Sequence, residues 1–449
     1  MGMIDREEIN CKQLIEERQW QELREKLKDV PIPDIADLLM ELSKAERVVL
    51  FRVLPRTTSS EVFSYMTSDL RNSLLKELTD EEARNLLSNL RPDDRTTLFE
   101  ELPGQVTQKL LNLLSPQDIK ETRFLLGYPE ESVGRLMTPD YVAVRPEWTV
   151  EQSLQHIRLK GKDSETLNVI YVTDEKWKLL DSLDLHRFIL SPPDARVSDL
   201  MDRNFVSIPA FDDRENAVYV LQHYDLFVLP VVDSEGILLG IVTADDIMDV
   251  AEEEATEDFH KTAAVAPLKN TYREASIWEL YNKRIYWLVF LVFVSLLSAG
   301  IIGHFESTLQ KVIILSVFIP MLTGSGGNTG AQSATMIVRA LATGDIEVEQ
   351  WSKTVRKEIL VGIFLGLTMG AAGFILGYIK GGAEIAFIIG ITMFCIILVA
   401  NLIGVALPFI LTRLGMDPAV ASNPLIASLV DATGLLIYFF VAVSVLQMV

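Results

Sequence analysis

Five stretches in the last third of the chain, residues 285–302, 312–338, 359–379, 385–412 and 418–449, are uncharged or, in the last, broken only by Asp431. Each is long enough for a membrane-spanning helix, since about 20 residues cross a ~30 Å hydrocarbon core. Five such stretches cannot all be buried in one water-soluble core. A five-helix transmembrane domain over 285–449 is therefore predicted. From residue 285 onward there are seven Lys/Arg and eight Asp/Glu, which leaves 34 basic and 54 acidic groups in the first 284 residues, a net charge of −20. The asymmetry between this acidic, polar two-thirds and the apolar, nearly neutral last third excludes a single globular enzyme, and the negative balance argues against a nucleic-acid partner, whose phosphates would be repelled. Divalent cations are the natural partners.

Orientation follows from the basic residues near the spans. With the N-terminus inside, Lys283, Arg284, Arg339, Lys353, Arg356, Lys357 and Arg413 are cytoplasmic, and only Lys311 and Lys380 lie outside. The bias predicts a multi-pass protein of the cell membrane, N-terminus cytoplasmic and C-terminus outside. The only cysteines are Cys11, in the polar part, and Cys395, in an apolar stretch, which excludes a disulfide framework and a cysteine zinc site and suits a reducing compartment. The opening Met-Gly-Met-Ile-Asp-Arg-Glu-Glu lacks the basic start and apolar core of a signal peptide.

The second stretch carries Pro320-Met321-Leu322-Thr323-Gly324-Ser325-Gly326-Gly327-Asn328-Thr329-Gly330-Ala331-Gln332-Ser333. Polar groups facing lipid are costly, so these residues are expected to meet a partner helix or water. Two readings stand side by side: close helix packing through small residues, or a hydrated path with Gly326 and Gly327 admitting close backbone approach and Asn328 lining it. On the second reading, leucine at Gly326 or Gly327 should do more harm than leucine at Gly377. Asn401 and Asn423 extend the polar inventory.

Asp431 has no Lys, Arg or His in any apolar stretch to neutralise it. An ionisable group inside a span ordinarily faces a bundle interior or a water-filled cavity. Its counter-charge is then a mobile cation or proton, unless the acid is protonated or helix-bonded. Mg²⁺ sheds water reluctantly and is often held by one or two carboxylates, so two Asp431 across a dimer axis suit the hydrated ion.

In the polar part, Leu50, Leu74 and Leu98 recur every 24 residues, predicting an α-helical superhelical N-domain over 1–131. Acids at its edge, Glu61, Asp93 and Asp94, are placed to meet a neighbour. A second repeat follows. Leu136-Met137-Thr138-Pro139 matches Leu200-Met201-Asp202-Arg203, and Val169-Ile170-Tyr171-Val172 matches Val228-Leu229-Pro230-Val231. This resembles a CBS-domain pair, an α/β regulatory module, over 132–250, with copies at 132–198 and 199–250. Gly240, Thr243 and Asp246 resemble that family's ribose-binding turn, and the resemblance implies a nucleotide such as ATP at one pocket. The first copy departs from the pattern. Residues 251–284 read as an acidic segment and a linker, or plug, helix at 272–283. On a helix Glu254, Glu257 and Asp258 share a face, and Asp246 and Asp249 lie three apart. A solvated acidic face is the plain alternative to a divalent-cation site.

In this order, the helical domain, CBS pair, connecting helix and five spans resemble the MgtE family of magnesium channels. The resemblance implies a Mg²⁺-selective homodimer in the membrane lipid, with Asp431 as the ion-selecting aspartate. It further implies closure by intracellular Mg²⁺ at Asp246, Asp249, Glu254, Glu257, Asp258 and Asp417, and, through a less specific match of positions, at Glu61, Asp93, Glu215 and Asp225. The rivals are a proton- or sodium-coupled divalent carrier and a membrane-tethered nucleotide sensor.

Overall fold

The computed structural model describes residues 11–102, 104–268, 272 and 275–448, and it divides into two compact units, Met1–Ala251 and Glu252–Val449.

The first unit begins with short helices running from Cys11–Glu16 to Pro116–Leu125. Their starts are written locally. Ser43 and Thr79 accept from the backbone of Glu46 and Glu82, whose side chains return the bond to the cap. Pro92 and Pro116 open helices where a missing N–H costs nothing. Leu50, Leu74 and Leu98 lie in Lys44–Val53, Ser68–Leu75 and Pro92–Glu101, and all three are fully buried in one core. The 24-residue repeat is thus a repeat of core positions.

Two three-stranded sheets follow, each with one parallel and one antiparallel pairing. The first contains β1 (Ala143–Val144), β2 (Val169–Thr173) and β3 (Leu179–Asp184). The second contains β4 (Ile208–Pro209), β5 (Val228–Val232) and β6 (Leu238–Thr243). In both, the middle strand is almost wholly buried, as its unbroken apolar run requires. The sheets share a core of Tyr171, Leu179, Val228, Val232, Leu238 and Ile241. Thr138 and Ile241 exchange backbone hydrogen bonds of 2.9 Å, tying the copies together. A Cβ on Gly240 would lie 2.7 Å from the Thr138 carbonyl, so glycine is required there by this close approach.

A 19-residue connecting helix, Ala244–Thr262, starts directly after β6 and takes up the acidic segment. The separate linker helix expected at 272–283 is not what forms: residues 277–283 are the first turns of the long helix Ile277–His304. Ser276 caps it by accepting from the Glu279 backbone at 3.1 Å, and no Gly or Pro separates those turns from the apolar stretch. Residues 269–271, 273 and 274 lie outside the described residues.

The second unit holds Ile277–His304, the glycine-rich helix Ile314–Ala342, a 63-residue helix Trp351–Arg413 and the C-terminal helix Asn423–Met448. The 63-residue helix is broken at Gly382, where φ is 76° and ψ is −169°, into two arms. Left-handed backbone of this kind is open to glycine at little cost. The arms pack through small residues: a Cβ on Gly377 would lie 2.8 Å from Ala386 Cα, and one on Gly370 3.0 Å from the Gly390 carbonyl. Five membrane-length arms result. The fifth begins at Asn423 rather than at 418, because Asp417 accepts from the Ala419 backbone and opens a short 3₁₀ turn, Pro418–Val420, first.

Candidate functional site

The glycine-rich helix has two faces. Gly326, Gly327, Gly330, Ser333, Ala334 and Ile337 are buried against the other helices. A Cβ on Gly326 would lie 2.6 Å from Ile396 Cγ2 and 2.8 Å from Val430 Cγ1; one on Gly330 would lie 2.9 Å from Ile426 Cγ2. Gly327 faces the C-terminal helix, where a Cβ would sit 3.3 Å from Ala427 Cβ and 4.0 Å from Asp431 Oδ1. Gly377 is no neutral reference for these positions, because its own approach to Ala386 leaves no space for a side chain. Gly324 is exposed and has nothing within 4 Å of its Cβ position.

The other face of this helix exposes Gly324, Asn328, Gln332 and Thr335. Thr335 donates to Asn423 Oδ1 at 3.3 Å, which brings two of the polar positions together across helices. Asp431 is half-buried, and among the described residues it has no hydrogen-bond or ion-pair partner. Asn401 is placed differently from the expected path. It is buried, its amide nitrogen donates to the Glu358 carbonyl at 2.8 Å and to Glu358 Oε2 at 3.1 Å, and its oxygen accepts from Ser333. Its polar atoms are spent on joining three helical arms. Neither Ser333 nor Glu358 was singled out from the sequence as its partner.

Toward the start of this unit, Glu254, Glu257 and Asp258 lie on the connecting helix as their spacing requires. Lys261, one turn beyond Glu257, reaches Glu257 Oε1 and Asp417 Oδ2 at 2.5 Å each. Burial pushes the Asp258 carboxyl up from its ordinary value, and repulsion by Asp417 adds to it. Asp417 is therefore brought to Glu257 and Asp258, which are remote in sequence.

The first unit contains a second acidic grouping. Asp93 is buried, and its Oδ1 has no hydrogen-bond partner. Burial, then repulsion from Asp246, Asp94 and Glu165, raises its pKa. Burial likewise moves Asp246 to about 7, against the opposing hydrogen bond from Thr243, whose hydroxyl reaches Asp246 Oδ2 at 2.7 Å. Asp140 is raised to about 6, by burial first and then by Glu121. Arg91 pairs with Glu165, and Ser64 donates to Asp94 at 2.8 Å. Asp93 and Asp246 are thus brought together, with Asp140 and Glu165, which sequence reasoning missed. The available signal was Asp140 directly after the Leu-Met-Thr-Pro motif. Glu61, Glu215, Asp225 and Asp249 are exposed. Among the described residues no three carboxylate, imidazole or thiol groups converge on one metal position.

Comparison with known proteins agrees with this architecture. Residues 319–441 match a family described as MgtE, divalent cation transporter; residues 30–131 match the MgtE intracellular N domain; and residues 197–253 match the CBS domain. The magnesium transporter MgtE of Thermus thermophilus is 39% identical over 98% of this chain and 99% of its own length. That of Bacillus subtilis is 32% identical over 93% and 95%. A crystal structure of the cytosolic domain of the Mg²⁺ channel MgtE in complex with ATP superposes with a TM-score of 0.52 and 36% identity, covering 54% of this chain and 98% of that one.

Proposed function

Because the chain belongs to the MgtE family of magnesium transporters, and so is a transporter rather than an enzyme, we propose that it is a Mg²⁺-selective channel mediating uptake across the cell membrane. The observation that carries this reading is Asp431: a half-buried carboxylate without a counter-charge among the described residues, beside Gly327 of the polar helix. A carboxylate so placed attracts a cation, and a single one can hold Mg²⁺ only through its water shell. The exposed face with Asn328, Gln332 and Thr335 is too polar to lie against lipid, which supports a homodimer with the path between two copies. Asn328 and Asn423 would then border the path, and Gly326 and Gly327 would set the spacing of the helices behind it.

In this reading the N-terminus is cytoplasmic and the C-terminus outside, and residues 1–131, 132–250, 251–284 and 285–449 divide the work into sensing, coupling and conduction. Cytoplasmic Mg²⁺ closes the path by bridging carboxylates: Asp93 with Asp246 in the first unit, and Glu257, Asp258 and Asp417 with Glu254 in the second. Asp249, Glu61, Glu215 and Asp225 are outer members of these sets. Uncompensated like charges favour separation, and a divalent ion reverses the sign of the interaction. A nucleotide is a second ligand of the CBS pair in this scheme, at the turn of Gly240, Thr243 and Asp246, supported by the ATP complex of the related cytosolic domain.

The test is Mg²⁺ flux into liposomes containing the full chain, with cation and pH varied. Asp431→Asn keeps the size of the side chain and deletes its charge, so flux should fall to background while the protein still elutes as the parent does. Parental Mg²⁺ flux in that variant refutes the pore assignment. Flux that tracks a proton gradient identifies a coupled carrier instead.

A further inference from the structure

Lys261 sits where the closing cation is proposed to act. Its ammonium is 2.5 Å from Glu257 Oε1, four residues back on the connecting helix, and 2.5 Å from Asp417 Oδ2, 156 residues on. Asp417 uses its other oxygen to accept from the Ala419 backbone at 2.7 Å, so the loop that carries it is held in shape. One positive charge faces two negative ones, and Asp258 adds a third on the same helix. A divalent ion bridging Glu257 to Asp417 would compete with Lys261 for the same two carboxylates.

We propose that Lys261 is a built-in counter-ion that occupies the bridging position when Mg²⁺ is scarce and is displaced when Mg²⁺ binds, and so sets the concentration at which the path closes. This rests on the closing role proposed above for Glu257, Asp258 and Asp417. The exchange is physically simple. A tethered ammonium competes at a high effective concentration, and its flexible stem lets it swing into water, to which its side chain is already 26% exposed. In the absence of metal the lysine also relieves repulsion between Glu257 and Asp417.

The experiment is a Mg²⁺ titration of closure with the full chain in liposomes, comparing the parent with Lys261→Met, Lys261→Gln and Lys261→Arg. Removing a unit charge this close to a divalent site should lower the Mg²⁺ needed for half-closure by about tenfold in both neutral variants. Lys261→Arg should stay near the parent. Protection of residues 263–268 from proteolysis by Mg²⁺ should shift by the same factor, which gives a readout independent of flux. A lysine acting only as a strut predicts the opposite, a higher Mg²⁺ requirement in the neutral variants, and that result or an unchanged one overturns the proposal. Loss of the folded protein in both neutral variants also makes Lys261 a strut and overturns it. A parent that Mg²⁺ does not close at all instead refutes the closing reading on which the proposal rests.

Discussion

The two acidic groupings of this chain store unsettled negative charge in different ways. In the first unit Asp93, Asp246 and Asp140 are withdrawn from water, and burial favours their protonated forms. In the second unit Glu257 and Asp417 are about one-third exposed, remain in contact with water, and share a lysine. Burial makes the first grouping depend on protons and on any ion that can satisfy Asp93 Oδ1. The second depends on a competing ammonium and on the screening power of the solution. If both groupings bind Mg²⁺ as proposed, one concentration would be read by two sites with different secondary controls.

The largest expected effect separates the second grouping from mere solvation. Glu254→Gln, Glu257→Gln and Asp258→Asn together should leave the path open at Mg²⁺ concentrations that shut the parent, because a ligand shifts an equilibrium only through its differential affinity for the two states. Proteolysis near residues 263–269 should no longer respond to Mg²⁺; position 269 itself lies outside the described residues. Closure at the parent's Mg²⁺ concentration would reduce the acidic run to a solvated face.

A smaller effect belongs to the first grouping. Asp246 has a folded pKa of about 7, above the ordinary 3.8, so between these values the folded state holds more protons than the unfolded one. Its stabilising contribution is present at low pH and is lost as pH rises through 7. With metal chelated, the unfolding transition of the first unit, followed within the full chain, should fall by about 2–4 °C between pH 6 and pH 8. Asp246→Asn should reduce that slope without abolishing it, because burial also raises Asp93 and Asp140, whereas the triple substitution in the second grouping should leave it intact. An unchanged slope in Asp246→Asn assigns the proton uptake elsewhere.

The smallest effect is ionic. The Debye length shrinks from about 10 Å at 0.1 M salt to about 3 Å at 1 M, and partly exposed charges lose the most. Raising a monovalent salt should narrow the difference in closing concentration between Lys261→Met and the parent, and should change the pH slope of the first grouping little. An equal salt response of the two would erase the distinction drawn between them.

Large features of this fold were legible because they rest on chain-local physics. Apolar length announces the five arms, and the spacing of Leu50, Leu74 and Leu98 announces the helical core they share. Repeated strand patterns announce the two sheets. Contacts between residues distant in sequence were not legible. Asn401 looked like a lining residue because an amide in an apolar stretch is conspicuous, yet its partners are Glu358 and Ser333, on other arms. Asp140 and Glu165 look like ordinary surface acids until burial raises their pKa values. Lys261 with Glu257 obeys helix spacing, while Asp417 joins them only through the fold. Gly377 resembled any other small residue, and its tight contact with Ala386 appears only when the two arms are laid together.

The break at Gly382 also bears on how the protein is made. The two arms it joins have no intervening loop, and Gly366, Gly370, Gly373 and Gly377 meet Phe394, Gly390, Ile389 and Ala386 in an antiparallel zipper. These contacts form between neighbours in the chain and need no other helix. During synthesis the pair can leave the translocon as a closed hairpin, its small-residue seam already hidden from lipid. The glycine-rich and C-terminal helices, which must find one another across that hairpin, can then assemble against a finished surface.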